Sequence, residues 1–105
     1  MRTLKFVVEG QRIRLDPVCD FSGIVPGTSG YLHATFEFSS EWRGLAKVAE
    51  FWRGNTDESF PAKIINGKCE IPAEALRMKK WYVNIVGKRG NIRITTDRAE
   101  VKQEG

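Results

Sequence analysis

Apolar residues recur at every second position through much of this chain. In "TLKFVV", Leu4, Phe6 and Val8 share one side, and after "EGQ" the stretch "RIRL" sets Ile13 and Leu15 against Arg12 and Arg14. Side chains on an extended backbone point alternately to opposite faces, so a period of two marks a strand with one buried face and one wet face. These two runs predict an N-terminal hairpin. "YLHATFEFS" is the clearest strand, with Leu32, Ala34, Phe36 and Phe38 on one side and His33, Thr35, Glu37 and Ser39 on the other. "KVAEFWR" is less regular, because Ala49 and Phe51 fall on one face while Val48 and Trp52 share the other with Glu50. That pattern predicts a strand apolar on both sides or partly covered by a loop. "SFPAKII" reads as an edge strand, since Pro61 has no N–H to give to a ladder. Asn66–Gly67 suits a type I′ turn, where both central residues need positive φ, and predicts a hairpin returning through "KCEI". "KKWYVNIVG" aligns Trp81, Val83 and Ile85, and "KRGN" turns it into "IRITTDRAEV", where Ile92 and Ile94 alternate with Arg93 and Thr95.

The connections are short, with one exception. "DPVCDFSGIVPGTSG", residues 16–30, holds two prolines and three glycines and has no period. A loop of that length is functional or wraps a sheet edge, and its Phe21, Ile24 and Val25 are expected to fold back onto the core. "SSEWRGL" predicts a short helical turn capped by Ser39 or Ser40 and ended by Gly44, and Pro72 opens another in "PAEAL". The polar tail "KQEG" is expected to fray. About eight short strands, with turn signals every 8–12 residues and one or two short helical turns, predict an all-β fold, an antiparallel β-sandwich of the Ig-like kind.

A chain of 105 residues with 41% hydrophobic content is one domain, residues 1–105, long enough for a core of its own. No unbroken apolar run matches a signal peptide or the ~20 residues of a membrane span, which leaves cytoplasmic synthesis and no membrane span as the expectation. Cys19 and Cys69 fit no metal-ligand spacing and read as ordinary thiols, so no metal or cofactor is expected. Charge is uneven. The net is +4, yet Arg77–Arg98 holds seven basic residues and one acidic residue, which leaves −2 for the remainder. A basic C-terminal third is either a solvated face or a surface for an anionic partner.

Candidate chemistry is sparse. His33 is the only histidine, and no nucleophile-elbow or cysteine-protease signature surrounds it, Cys19 or Asp20. Glu37 and Glu41 carry no paired-carboxylate pattern, and "GIVPGTSG" lacks the lysine and following helix that phosphate cradling requires. No catalytic residue is assigned, and the chain reads as non-enzymatic. Arg12, Arg14, Lys88, Arg89 and Arg93 are the candidate anion-binding set, with Trp81 or Tyr82 as a stacking platform should a nucleic acid or nucleotide bind. Trp42 lies in a connection, where an aromatic plugs the open end of a sandwich, and Trp52 adjoins Phe51, so one of that pair points away from the core. Exposed tryptophans mark interfaces. The candidate partner-binding residues are Phe21, Ile24, Val25, Trp42, Trp52 and Arg53.

Across nearly its whole length the chain also resembles small structural proteins (tail, baseplate or head-surface components) of phages and prophages of Gram-positive bacteria. The residues that carry the resemblance are Phe38, Ser39 or Ser40, Glu41, Trp42, Gly44, Leu45 and Lys47. The "IPAEAL" step with Pro72, Glu74 and Leu76, and the final strand with Ile94, Thr95 and Thr96, extend it. The resemblance implies a virion component made in the host cytoplasm that assembles with other phage structural proteins or with itself as a homo-oligomer. Stopping at Gly105 without a fibre extension fits a free-standing component or a small phage protein acting on the host. Two alternatives accompany it: a phage-encoded inhibitor binding a host defence protein or a nucleotide signal, and a carbohydrate-binding module using Trp42 and Trp52 as sugar platforms.

Overall fold

The computed structural model describes residues 1–104. Its strands are β1 (Arg2–Glu9), β2 (Arg12–Leu15), β3 (Leu32–Phe38), β4 (Ala46–Arg53), β5 (Ser59–Lys63), β6 (Lys68–Glu70), β7 (Lys80–Arg89), β8 (Ile92–Thr95) and β9 (Ala99–Lys102), with 3-10 turns at Ser40–Trp42 and Ala73–Arg77. One sheet has the order β2-β1-β3-β6 and the other β5-β4-β7-β8, with β9 also on β7. The two sheets pack face to face as an all-β sandwich. Every named pair is antiparallel except β1 with β3, which run parallel from Arg2↔Leu32 to Val8↔Phe38. The long 16–30 loop allows this, because it carries the chain from the end of β2 back to the end of the sheet where β1 begins.

The alternation read from the sequence sets the core. Leu4, Phe6, Val8, Leu32, Ala34 and Phe36 from one sheet meet Ala49, Phe51, Trp81, Val83 and Ile85 from the other, and all are buried. Burying each large apolar side chain contributes about 1.5–3 kcal/mol. Phe6 stacks on Phe36 of the same sheet with ring centroids 5.5 Å apart, and its edge-on contact with Trp81 of β7 crosses to the other sheet. Trp42 plugs one end. It is fully buried, its ring tilts against Phe38 at 5.5 Å, and its Nε1–H donates to the Gly10 carbonyl at 2.8 Å.

Three expectations are corrected. Asn66 and Gly67 do adopt positive φ, 53° and 77°, but the turn leads from one sheet to the other. β6 pairs with β3, and only the bridge Ile65↔Lys68 remains of the predicted hairpin. The last strand is broken into β8 and β9, both on the same side of β7. At the break the Thr96 hydroxyl takes the place of a ladder carbonyl, accepting the Ile85 N–H at 2.9 Å and donating to the Asp97 carbonyl. The Asp97 carboxylate accepts the Ile13 N–H at 2.9 Å, and the Asp97 N–H donates to the Gln11 carbonyl, so the break ties β2 to the opposite sheet. Finally, the tail does not fray through Glu104. Gln103 is buried, its amide donates to the Leu76 and Met78 carbonyls, and the Glu104 N–H donates to the Ile24 carbonyl. Gly105 lies outside the described residues.

Candidate interaction surfaces

The expected partner-binding residues separate by burial. Trp42 and Ile24 are 0% and 2% exposed, so neither presents a contact surface. Phe21 folds back as expected, edge-on to Phe6 at 5.5 Å. Arg53 is engaged within the chain, donating from Nε to the Glu74 carbonyl at 3.0 Å and lying over the Phe60 ring beside Glu58. Trp52 points away from the core, but it is half-covered. Its Nε1–H donates to Asn84 Oδ1, and the Arg98 guanidinium lies 3.7 Å above its ring. Of the six, Val25 alone is exposed, at 57%; unlike Phe21 and Ile24 it does not fold back onto the core as expected, because its side chain points outward from the loop.

Val25 stands on a fixed base. The loop carrying it is tied by the Gly27 N–H to the Leu76 carbonyl and by the Glu104 N–H to the Ile24 carbonyl, and Thr28 Oγ1 donates to the Val25 carbonyl. Farther back in the loop, Arg2 donates to the Asp20 and Ser22 carbonyls. Hydrogen bonds from the Ser22 hydroxyl and N–H hold the Asp20 carboxyl below its ordinary range. Beside Val25 opens a concavity of about 740 Å³ lined by Pro26, Gly54, Thr56 and Met78 together with the cations Arg77 and Lys79. Gly54 is required there, since its φ is +51° and a Cβ would lie 3.0 Å from Met78 Sδ. Met78 is itself 45% exposed. The hollow lies at the end where β4 stops and β7 starts, with Met78 in its lining and Val25 open to solvent next to Pro26. The sequence pointed to Val25, but it gave no sign of Met78, which lines one hollow with Pro26 only because two distant segments come together.

The expected anion-binding set does not form one cluster. Arg12 and Arg14 lie on β2 beside Asp97 and Glu9, at 3.9 and 2.9 Å. Arg89 turns to the Trp42 end, where its Nη1 approaches Gly44. Lys88 and Arg93 do meet, as directly opposed partners between β7 and β8. Trp81 is wholly in the core and offers no stacking face. Tyr82 does face outward, but its hydroxyl donates to Glu100 at 2.9 Å.

What the register assembles instead is the outer face of the β5-β4-β7-β8/β9 sheet. Lys63, Lys80, Lys88, Arg93, Arg98 and Lys102 all lie on that face, with Glu50 and Glu100 as its acidic members. Six cations against two carboxylates leave +4 on one face, equal to the net charge of the whole chain. At the Arg93 end, a shallow depression of about 250 Å³ has Ala46, Val48 and Val86 as its floor and Glu50, Lys88 and Arg93 around it.

The remaining candidates for chemistry stay apart. Cys69 is buried, and that burial pushes its thiol up to about 12. Cys19 Sγ accepts the Lys5 N–H at 3.4 Å at the edge of β1. Among the described residues, no group of three or more His, Cys, Asp or Glu side chains is placed to hold a metal ion, and no helix is long and apolar enough to cross a membrane. No family model matches the chain, and no curated protein matches it.

Proposed function

We propose that this protein is a non-enzymatic structural module of a phage or prophage particle, mediating protein–protein assembly through the end of the sandwich that bears Val25, Pro26 and Met78. The reading begins from the sequence resemblance. The observation that carries it to a surface is the apolar hollow on a backbone base held by the loop and tail hydrogen bonds. Pre-ordered apolar surface suits assembly, because docking then costs little loop-ordering entropy. Repeated copies in a symmetric particle present such a surface many times.

Sedimentation velocity of the purified protein, alone and with the proteins of its particle, tests this reading. Association that Met78→Glu and Val25→Glu abolish is the expected result. A monomer at every concentration that binds no particle protein contradicts it. The carbohydrate reading has lost one of its two platforms, since Trp42 is buried, and Arg98 covers the other. The inhibitor reading keeps the cationic sheet face as its one supporting feature.

A further inference from the structure

The outer face of the β5-β4-β7-β8/β9 sheet is built at a cost. Like charges directly opposed across antiparallel strands destabilise a sheet. This face holds two such pairs, Lys88↔Arg93 and Lys80↔Lys102. Glu100 lies 3.9 Å from Lys80 and partly offsets the second pair, whereas neither Lys88 nor Arg93 takes part in an ion pair among the described residues. Between these cations and Lys63 lies the aliphatic floor of Ala46, Val48 and Val86, in a register where Val48 faces both Lys63 and Val86. Neighbouring strands are about 4.8 Å apart, so Lys63 on β5 and Lys88 on β7 flank the floor at roughly 10 Å, which is room for one extended chain.

We propose that this face is a docking surface for an acidic segment of another polypeptide in which carboxylates alternate with aliphatic side chains. The carboxylates neutralise the opposed cations, and an aliphatic side chain enters the Ala46–Val48–Val86 floor. Charge complementarity selects an anionic occupant, and the floor selects a polypeptide over a nucleic acid. A single strand of nucleic acid needs free aromatic faces. Here Arg98 lies over the Trp52 ring, and Lys80 Nζ lies over the Tyr82 ring, 6.0 Å from its centroid. Glu50 lines the depression and repels a phosphate placed on its floor, whereas an aliphatic side chain there carries no charge to repel. The Ala46–Val48–Val86 depression shares no lining residue with the Val25–Met78 hollow, so its failure would leave the particle role standing.

The test is fluorescence anisotropy with a labelled twelve-residue peptide of alternating Glu and Leu, compared with a twelve-nucleotide oligothymidylate. The peptide is expected to bind and to weaken about tenfold or more when salt rises from roughly 50 to 300 mM. Lys88→Glu is expected to weaken binding by about tenfold while raising Tm, since it replaces an opposed like-charge pair with an attractive one. Val48→Asp is expected to weaken binding as well, and Lys5→Glu on the opposite sheet to leave it unchanged. Absence of peptide binding, indifference to Lys88→Glu, a fall in Tm for that variant, or oligothymidylate binding as tight as the peptide would each overturn the proposal.

Discussion

Gly87 shows how much one residue decides. It sits in the middle of β7 without a positive φ, so its absent side chain is a matter of space alone. A Cβ there would lie 2.7 and 2.9 Å from two Trp42 ring carbons and 3.1 Å from Leu45 Cδ1. The glycine is therefore the socket for the tryptophan that closes that end. Gly87→Ala is expected to cost about 1–3 kcal/mol by overpacking, read by urea unfolding, and Trp42→Ala about 3–5 kcal/mol. The two cysteines give a second check. Cys69 is buried with its thiol at about 12, against an ordinary value of 9.0, while Cys19 is half-exposed. Alkylation of the native protein at pH 8 should modify Cys19 and spare Cys69, with mass spectrometry locating the adduct. The raised value also gives a sign: the neutral thiol's contribution is complete below about pH 9 and is lost as pH rises toward 12.

At the level of elements, the local patterns were legible and the pairings were not. The alternation of Leu4, Phe6 and Val8, or of Trp81, Val83 and Ile85, named the buried face of each strand correctly, because that face is fixed by backbone geometry. Which strands adjoin is decided by contacts between segments far apart in the chain. The Asn66–Gly67 signal specified its positive-φ turn but could not reveal that the next strand would pair with β3. The break between β8 and β9 was hidden for a related reason, since "TTDR" looks like strand until Thr96 and Asp97 find Ile85 and Ile13. Asp97→Ala removes the acceptor of the Ile13 N–H and is expected to cost about 1.5 kcal/mol, the lower end for a hydrogen bond to a charged group, because the carboxylate is half-exposed. Hydrogen exchange should show the Ile13 amide losing protection while the Val83 and Ile85 amides keep theirs.

Across the whole molecule, cations border both of the exposed apolar surfaces. The basic C-terminal third seen in the sequence is distributed among the hollow (Arg77, Lys79), the Trp42 end (Arg89) and the cationic sheet face. That face also draws Lys63 and Lys102 from segments whose sequence carried no such signal. Val25 could be singled out from the sequence because it is an apolar residue in a long loop, and the structure leaves it exposed. Met78 and the cationic face could not, because both arise only when distant segments meet. The measurement that bears most directly on the assembly role is quantitative mass spectrometry of intact particles, banded by density, from the strain that encodes the protein. The chain is expected in a fixed number of copies per particle, retained through repeated banding. Complete, infectious particles that lack the chain would overturn the assembly role.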